Sequence, residues 1–156
     1  MTSRPTVTIR DLEPAECEAL LARHRIGRIA FSFKDRVDIQ PISYVFEGGW
    51  LSCRTEQGSK LETLRQSPWV AFQVDEVHGP YDWESVSVRG TVYLMAEGSA
   101  DHAATVAAIQ GVAPQAFTDA DPTPYRDVVF RVYPREMTGR RASSSGGAAG
   151  SPTPRD

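Results

Sequence analysis

Trp50-Leu51-Ser52-Cys53-Arg54-Thr55-Glu56-Gln57-Gly58-Ser59-Lys60-Leu61 reads as strand, turn and helix in immediate succession. Trp50 to Arg54 has strand character, and Ser59 to Gln66 has the spacing of a short helix that ends before Pro68. The join places Arg54, Thr55, Ser59 and Lys60 where the free N–H groups of a helix start gather. Such an end carries about half a positive charge and unpaired donors, which suits a phosphate. Two cations and two hydroxyls there make a phosphate cradle for a nucleotide-type cofactor. The competing reading is an N-cap serine followed by a solvated lysine. The glycine spacing does not match a Walker A loop.

Working outward, Glu13 to His24 reads as a helix with Asp11 as its cap, and Arg28 to Phe33 as the first strand. Val37 to Phe46 follows, and Glu47-Gly48-Gly49 is a hairpin signal leading into Trp50. After the cradle helix, which carries Leu61 and Leu64 and reaches toward Trp69, Val70 to Asp75 is the fourth strand. Val77 to Asp82 reads as a loop, and Trp83 to Met95 as a long strand with Val86, Val88, Val92 and Leu94 on one face. Gly90 interrupts that strand and marks a bulge or bend. Ser99 to Gln110 is an Ala-rich helix, Val112 to Tyr125 a connector, and Asp127 to Tyr133 the last strand. The fold class expected is α+β: a six-stranded antiparallel split β-barrel with peripheral helices, with an open sheet covered on one face as the alternative.

The 156 residues leave room for one domain, residues 1–141, and a Ser/Gly/Pro-rich tail, 142–156, whose composition predicts disorder. The net charge of −3 and the lack of a basic stripe argue against nucleic acid. No apolar run reaches membrane-spanning length, and the two cysteines, Cys17 and Cys53, suit a reducing cytoplasm. His24, His78 and His102 lack metal spacing, so no metal site is expected. Cys53, near a helix start, is either a reactive thiol or a buried strand cysteine.

Two further clusters bear on chemistry. Gln40-Pro41-Ile42-Ser43-Tyr44 places a proline inside a strand, which requires a bulge or an edge, and a bulged backbone would free N–H and C=O groups for a flat heterocycle. An edge strand with an inconsequential proline is the other reading. Trp83-Glu84-Ser85 opens the long strand, where a tryptophan serves either packing or stacking on an aromatic ligand.

Taken with Gly27-Arg28-Ile29-Ala30-Phe31, Gly58-Ser59-Lys60-Leu61, Leu64-Arg65-Gln66-Ser67-Pro68-Trp69-Val70 and Trp83 to Gly90, these motifs resemble the pyridoxamine 5′-phosphate oxidase-like FMN-binding split-barrel family. Within it, they are most similar to the short branch that includes nitroimidazole-resistance-type proteins. The resemblance covers Leu12 to Met95 and, more loosely, Val128 to Tyr133. It implies a homodimer with flavin sites at the subunit interface. Arg54, Thr55, Ser59 and Lys60 would hold the phosphate, and the backbone of Gln40, Pro41, Ile42 and Ser43 would run along the isoalloxazine. Trp83 and Ser85 would approach it from the same or the partner chain. The activity implied is an FMN-dependent oxidoreductase acting on a small-molecule substrate with a separate electron donor. Deazaflavin or haem, or a non-catalytic cofactor-binding or sensing module, are the alternatives. Arg135 to Arg141 lead into the tail in place of the Arg-containing substrate motif of the oxidases proper. Ser59 stands where nitroimidazole-resistance proteins carry a histidine. No side chain is assigned as an acid or base.

Overall fold

The computed structural model describes residues 4–145. Along the chain it has β1 (Thr6–Asp11), α1 (Pro14–Arg23), β2 (Ile26–Phe33), β3 (Arg36–Glu47), β4 (Trp50–Thr55), α2 (Ser59–Gln66), β5 (Trp69–Gly79), β6 (Asp82–Leu94), α3 (Ala100–Val112) and β7 (Val128–Ser145). The antiparallel sheet runs β1-β7-β4-β3-β2-β5-β6, and β6 pairs back onto β7. Strands β2 to β7 therefore close the expected six-stranded barrel, and β1 is added outside the ring.

Alternation explains the wall. Ile29 and Phe31 of β2, Val70, Phe72 and Val74 of β5, and Val86 and Val88 of β6 point inward and are buried. Leu20 and Leu21 of α1 join this cluster, so the helix lies against the barrel core. The Tyr44 hydroxyl donates to the Leu21 carbonyl at 2.7 Å, and its ring meets Phe72 edge-on at 4.8 Å. A second cluster outside the barrel, Val45, Ile109, Ala116 and Val129, fastens α3 to β3 and β7. The Gly48-Gly49 hairpin has positive φ at both residues, 61° and 81°, the geometry that matches strand twist.

Several expectations require correction. Asp11 ends β1 and does not cap α1; the Glu13 backbone N–H donates to the Glu16 carboxylate at 3.1 Å instead. β5 runs on to Gly79 with a register shift between Val77 and Gly79, because β6 pairs with it far into the stretch read as a loop. Glu76 is held by Arg23 at 2.7 Å. Trp69 and Leu94, placed with the apolar faces, are exposed. Pro41 introduces no bulge: it pairs in register with Arg28, while β4 begins pairing only at Ser43. The open-edge reading is the one realised. β7 extends past the domain limit at 141, since Ala142 to Ser145 pair with β1 and Ala142 is buried. Ladder bonds belong to the backbone, so a Ser-rich composition does not prevent them. The rest of the expected tail, 146–156, lies outside the described residues.

Gly90 does mark an irregularity, with the β6–β7 register shifting between Arg89 and Gly90. A Cβ there would sit 2.4 Å from the Tyr133 carbonyl oxygen, whereas one on Gly111 would meet nothing within 4 Å. Gly90→Ala is expected to destabilise the fold by about 1–3 kcal/mol in urea titration, the usual range for overpacking. Gly111→Ala, within α3, is expected to be neutral or to stabilise by up to about 1 kcal/mol.

Candidate functional site

At the end of β4 the inward Cys53 is fully buried, while Arg54 turns outward and Thr55 stands at the strand exit. Glu56 to Gly58 cross to α2, whose N-cap is Gly58 with no capping side chain, so Ser59 is the first helical residue and not the cap. A cavity of about 350 Å³ opens between these segments. Gln40, Pro41, Ile42 and Ser43 of β3 form one wall, Arg54 and Thr55 a second, and Lys60 and Arg126 bring positive charge to it. Ser59 is exposed and does not line it.

Lys60 Nζ lies 3.5 Å from Thr55 Oγ1, as donor to the hydroxyl. Its pKa is lowered, chiefly by burial; Cys53 and Glu56 oppose that shift and Arg126 adds to it. Arg126 was not anticipated, because in sequence it is simply the end of a Pro-rich connector. Among the described residues neither Lys60 nor Arg126 has a carboxylate within ion-pair distance.

Arg54 has a different setting. Its Nε donates to the Arg126 carbonyl at 2.6 Å, and Nη1 to Thr123 Oγ1 at 3.2 Å. Nη2 donates to the Thr123 carbonyl at 3.1 Å and to the Asp121 carboxylate. The Phe117 ring lies 4.4 Å from the guanidinium carbon. Asp121 is almost wholly buried, and burial alone would push its carboxyl up. The backbone N–H groups of Phe117 and Thr123, both at 2.8 Å, and Arg54 outweigh that and bring it down to about 2. Arg54 is thus neutralised within the chain. Asp121-Pro122-Thr123 is a recognisable Asx-turn signal, but nothing local shows that it meets an arginine 67 positions away.

A second cavity, about 620 Å³, shares Ile26, Ser43, Arg54 and Arg126 with the first. Trp83 and Ser85 line a third, about 490 Å³, with Met137, Gly139 and Arg140. One chain does not bring them to the cradle. Ser85 Oγ instead accepts from Gln73 Nε2 at 3.2 Å. His78 is exposed, 3.8 Å from Glu76, and lines none of the three cavities.

Comparison with known proteins decides the kinship. A family model described as pyridoxamine 5′-phosphate oxidase matches residues 13–141. The chain belongs to the pyridoxamine 5′-phosphate oxidase-like family. An FAD-binding protein from Mesorhizobium loti is similar at 26% identity and TM-score 0.74, over 86% of this chain and 99% of that one. A Mycobacterium smegmatis FAD-binding protein is similar at 25% identity and TM-score 0.58, over 86% and 98% of the two chains. An uncharacterised protein of Rhizobium meliloti (strain 1021) is 32% identical over 82 residues, 53% of this chain and 54% of its own length. The match thus spans about half the length of that curated relative. The pyridoxamine 5′-phosphate oxidase-like fold thus carries the 350 Å³ cavity between the β4–α2 join and the open length of β3.

Of the two reactivities considered for Cys53, the buried one is found: burial pushes its thiol up to about 12. Iodoacetamide at pH 8 is expected to leave Cys53 unlabelled in the native protein and to label it after urea unfolding, read by peptide mass spectrometry. Rapid native labelling would contradict this placement.

Proposed function

We propose that this chain binds a flavin nucleotide, FMN in the first instance, and acts as a flavin-dependent oxidoreductase on a small-molecule substrate. The observation that carries the reading is the pair Lys60 and Arg126. They line a cavity beside the Thr55 hydroxyl and the open edge of β3, with no carboxylate partner of their own among the described residues. A phosphate monoester carries about −1.5 to −2 charge at neutral pH, and bonds to it from cationic donors are about twice as strong as neutral ones. Thr55 and Lys60 hold that phosphate and Arg126 adds the second cation. Ser59, exposed at the first turn of α2, lies outside the cavity, and Arg54 borders the site while holding the connector.

The donor set also suits a ring. Along Gln40 to Ile42, β3 has a strand neighbour among the described residues only on the β2 side, so backbone groups on the other side are free for a heterocycle. Bound there, the flavin supplies hydride or electron transfer, and the protein supplies binding, orientation and electrostatics. Among the described residues no His, Cys or carboxylic acid stands in the cradle apart from the exposed Glu56, so no general acid or base is assigned. The two relatives described as FAD-binding support a flavin, and FMN and FAD both attach a phosphate to the ribityl chain.

A homodimer completes the reading. Ile26, Val37 and Ile39 are 66%, 76% and 65% exposed around the β2–β3 edge, an apolar grouping that a second copy would cover. Trp83 and Ser85 reach the cofactor across such an interface, since within one chain they line a separate cavity. No helix among the described residues is long and apolar enough to cross a membrane. A reducing cytoplasmic setting suits the two free thiols.

Lys60→Ala is expected to weaken FMN binding by about 1.5–3 kcal/mol in a flavin-fluorescence titration, the range for a hydrogen bond to a charged group. An unchanged dissociation constant rejects the cradle, and a Soret band in place of flavin absorbance in the purified protein rejects the cofactor. Because burial lowers the Lys60 pKa, its charge is lost earlier as pH rises than that of an exposed lysine. FMN affinity should fall across that alkaline range in the wild type and hold in Lys60→Arg. Ile39→Asp is expected to convert a dimer to monomers in sedimentation velocity.

A further inference from the structure

The 620 Å³ chamber has a composition that the cradle does not explain. It lies outside the barrel, between β3, the C-terminal end of α3 and the connector of residues 113–127. Val45, Ile109, Val112, Ala116 and Pro122 give it largely apolar walls. Its volume falls in the range of about 300–1,000 Å³ that small-molecule pockets occupy.

Its charges are all cationic once internal pairing is counted. Arg54 and Asp121 neutralise each other, and the Asp121 oxygens also receive the Phe117 and Thr123 N–H groups. Two guanidiniums are left. Arg25 turns Nη1 to the carbonyls of Ala22 and His24 at 2.6 and 2.9 Å, while Nε and Nη2 have no partner among the described residues. Arg126 has no ion pair among them either. A neutral apolar ligand would desolvate these cations without replacing their water, and a small hydrophilic anion would leave the apolar walls wet. Arg25 and Arg126 are exposed at the mouth of the chamber, so a molecule with both characters can pair its charge there and bury its body against the walls.

We infer that this chamber binds a small organic anion: an aromatic or alicyclic body against the α3 wall, with one carboxylate or sulfonate on Arg25, beside the boundary that Arg126 shares with the cradle. Four residues are common to chamber and cradle, so the occupant abuts the cofactor position. As the substrate class of the oxidoreductase, the assignment rests on the flavin reading; as a binding site it does not.

The test uses 8-anilinonaphthalene-1-sulfonate and its neutral counterpart N-phenyl-1-naphthylamine, titrated by fluorescence into the full chain at low salt. The sulfonate should saturate one site and bind about tenfold tighter than the neutral probe, the equivalent of one charged hydrogen bond. Arg25→Ala, at an exposed position, should erase that preference and leave FMN binding intact. Lys60→Ala should do the reverse, so failure of the chamber and failure of the flavin cradle are read separately. Val112→Trp should exclude both probes. Equal affinity for the two probes, a preference that survives Arg25→Ala, or binding that does not saturate at one site overturns the inference. Displacement of the sulfonate by AMP, or by FAD but not FMN, also overturns it, because the chamber then takes the adenylate half of a dinucleotide.

Discussion

Barrel closure depends on β7. Its first half hydrogen-bonds to β4 on one side and β6 on the other, and its second half continues along β6 while β1 replaces β4. Remove that pairing and β4 and β6 become open edges, with Phe130 and Val132 stripped from the core. Between the β4 and β1 pairings one side of β7 has no strand neighbour among the described residues; just past β1 the Leu12 N–H donates to the Gly139 carbonyl at 2.9 Å, and Cys17 of α1 packs close by. Gly139 is required there because a Cβ would sit 2.7 Å from Cys17 Sγ.

The same closure positions the site. Since β6 and β7 are adjacent, a direct hairpin would suffice to connect them. The chain instead detours through α3 and residues 113–127 across the outer face of β3 and β4. That detour builds the roof of the chamber, and Arg54 anchors it from below. A buried ion pair of this kind is weak evidence for stability, because desolvation offsets much of its attraction. What it supplies is placement: one guanidinium fixes the backbone at Thr123 and Arg126 and orients Phe117. Arg126 reaches both cavities because its own carbonyl is clamped to Arg54.

How far the sequence reveals this depends on whether a feature is local. The β4–α2 join was legible to the residue at both ends of α2, because strand alternation, Gly58 and Pro68 all act within a few positions. β1 was not legible. All six of its residues are exposed, so no face of it is patterned, and only backbone bonds to β7 define it. Those same bonds carry β7 through serines that composition alone assigns to disorder. At the site, Thr55, Lys60 and the β3 segment could be found from local chemistry. Asp121, Arg126 and Arg25 could not, because each gains its role from a segment distant in the chain. Pro41 shows the limit differently: the sequence requires an edge or a bulge, and only the pairing partner distinguishes them.

Charge distribution ties these parts together. The chain carries a net −3, yet Arg25, Arg54, Lys60 and Arg126 converge on two adjoining cavities against Asp121 and Glu56. At physiological ionic strength the Debye length is about 8 Å, so the diffuse negative charge is screened over the approach distance of a ligand, while the half-buried Lys60 is screened less than the exposed Arg25 and Arg126. The weak global repulsion therefore acts against anions in general, and the local field favours those whose shape lets them enter. An anion small enough to remain hydrated gains little from walls it cannot dry. One carrying an apolar ring gains burial as well as charge pairing, and the two effects reinforce each other because excluding water also raises the strength of each charged contact. Selection by this cleft thus follows from Arg54 being neutralised in place, which leaves the remaining cations without a carboxylate partner of their own among the described residues.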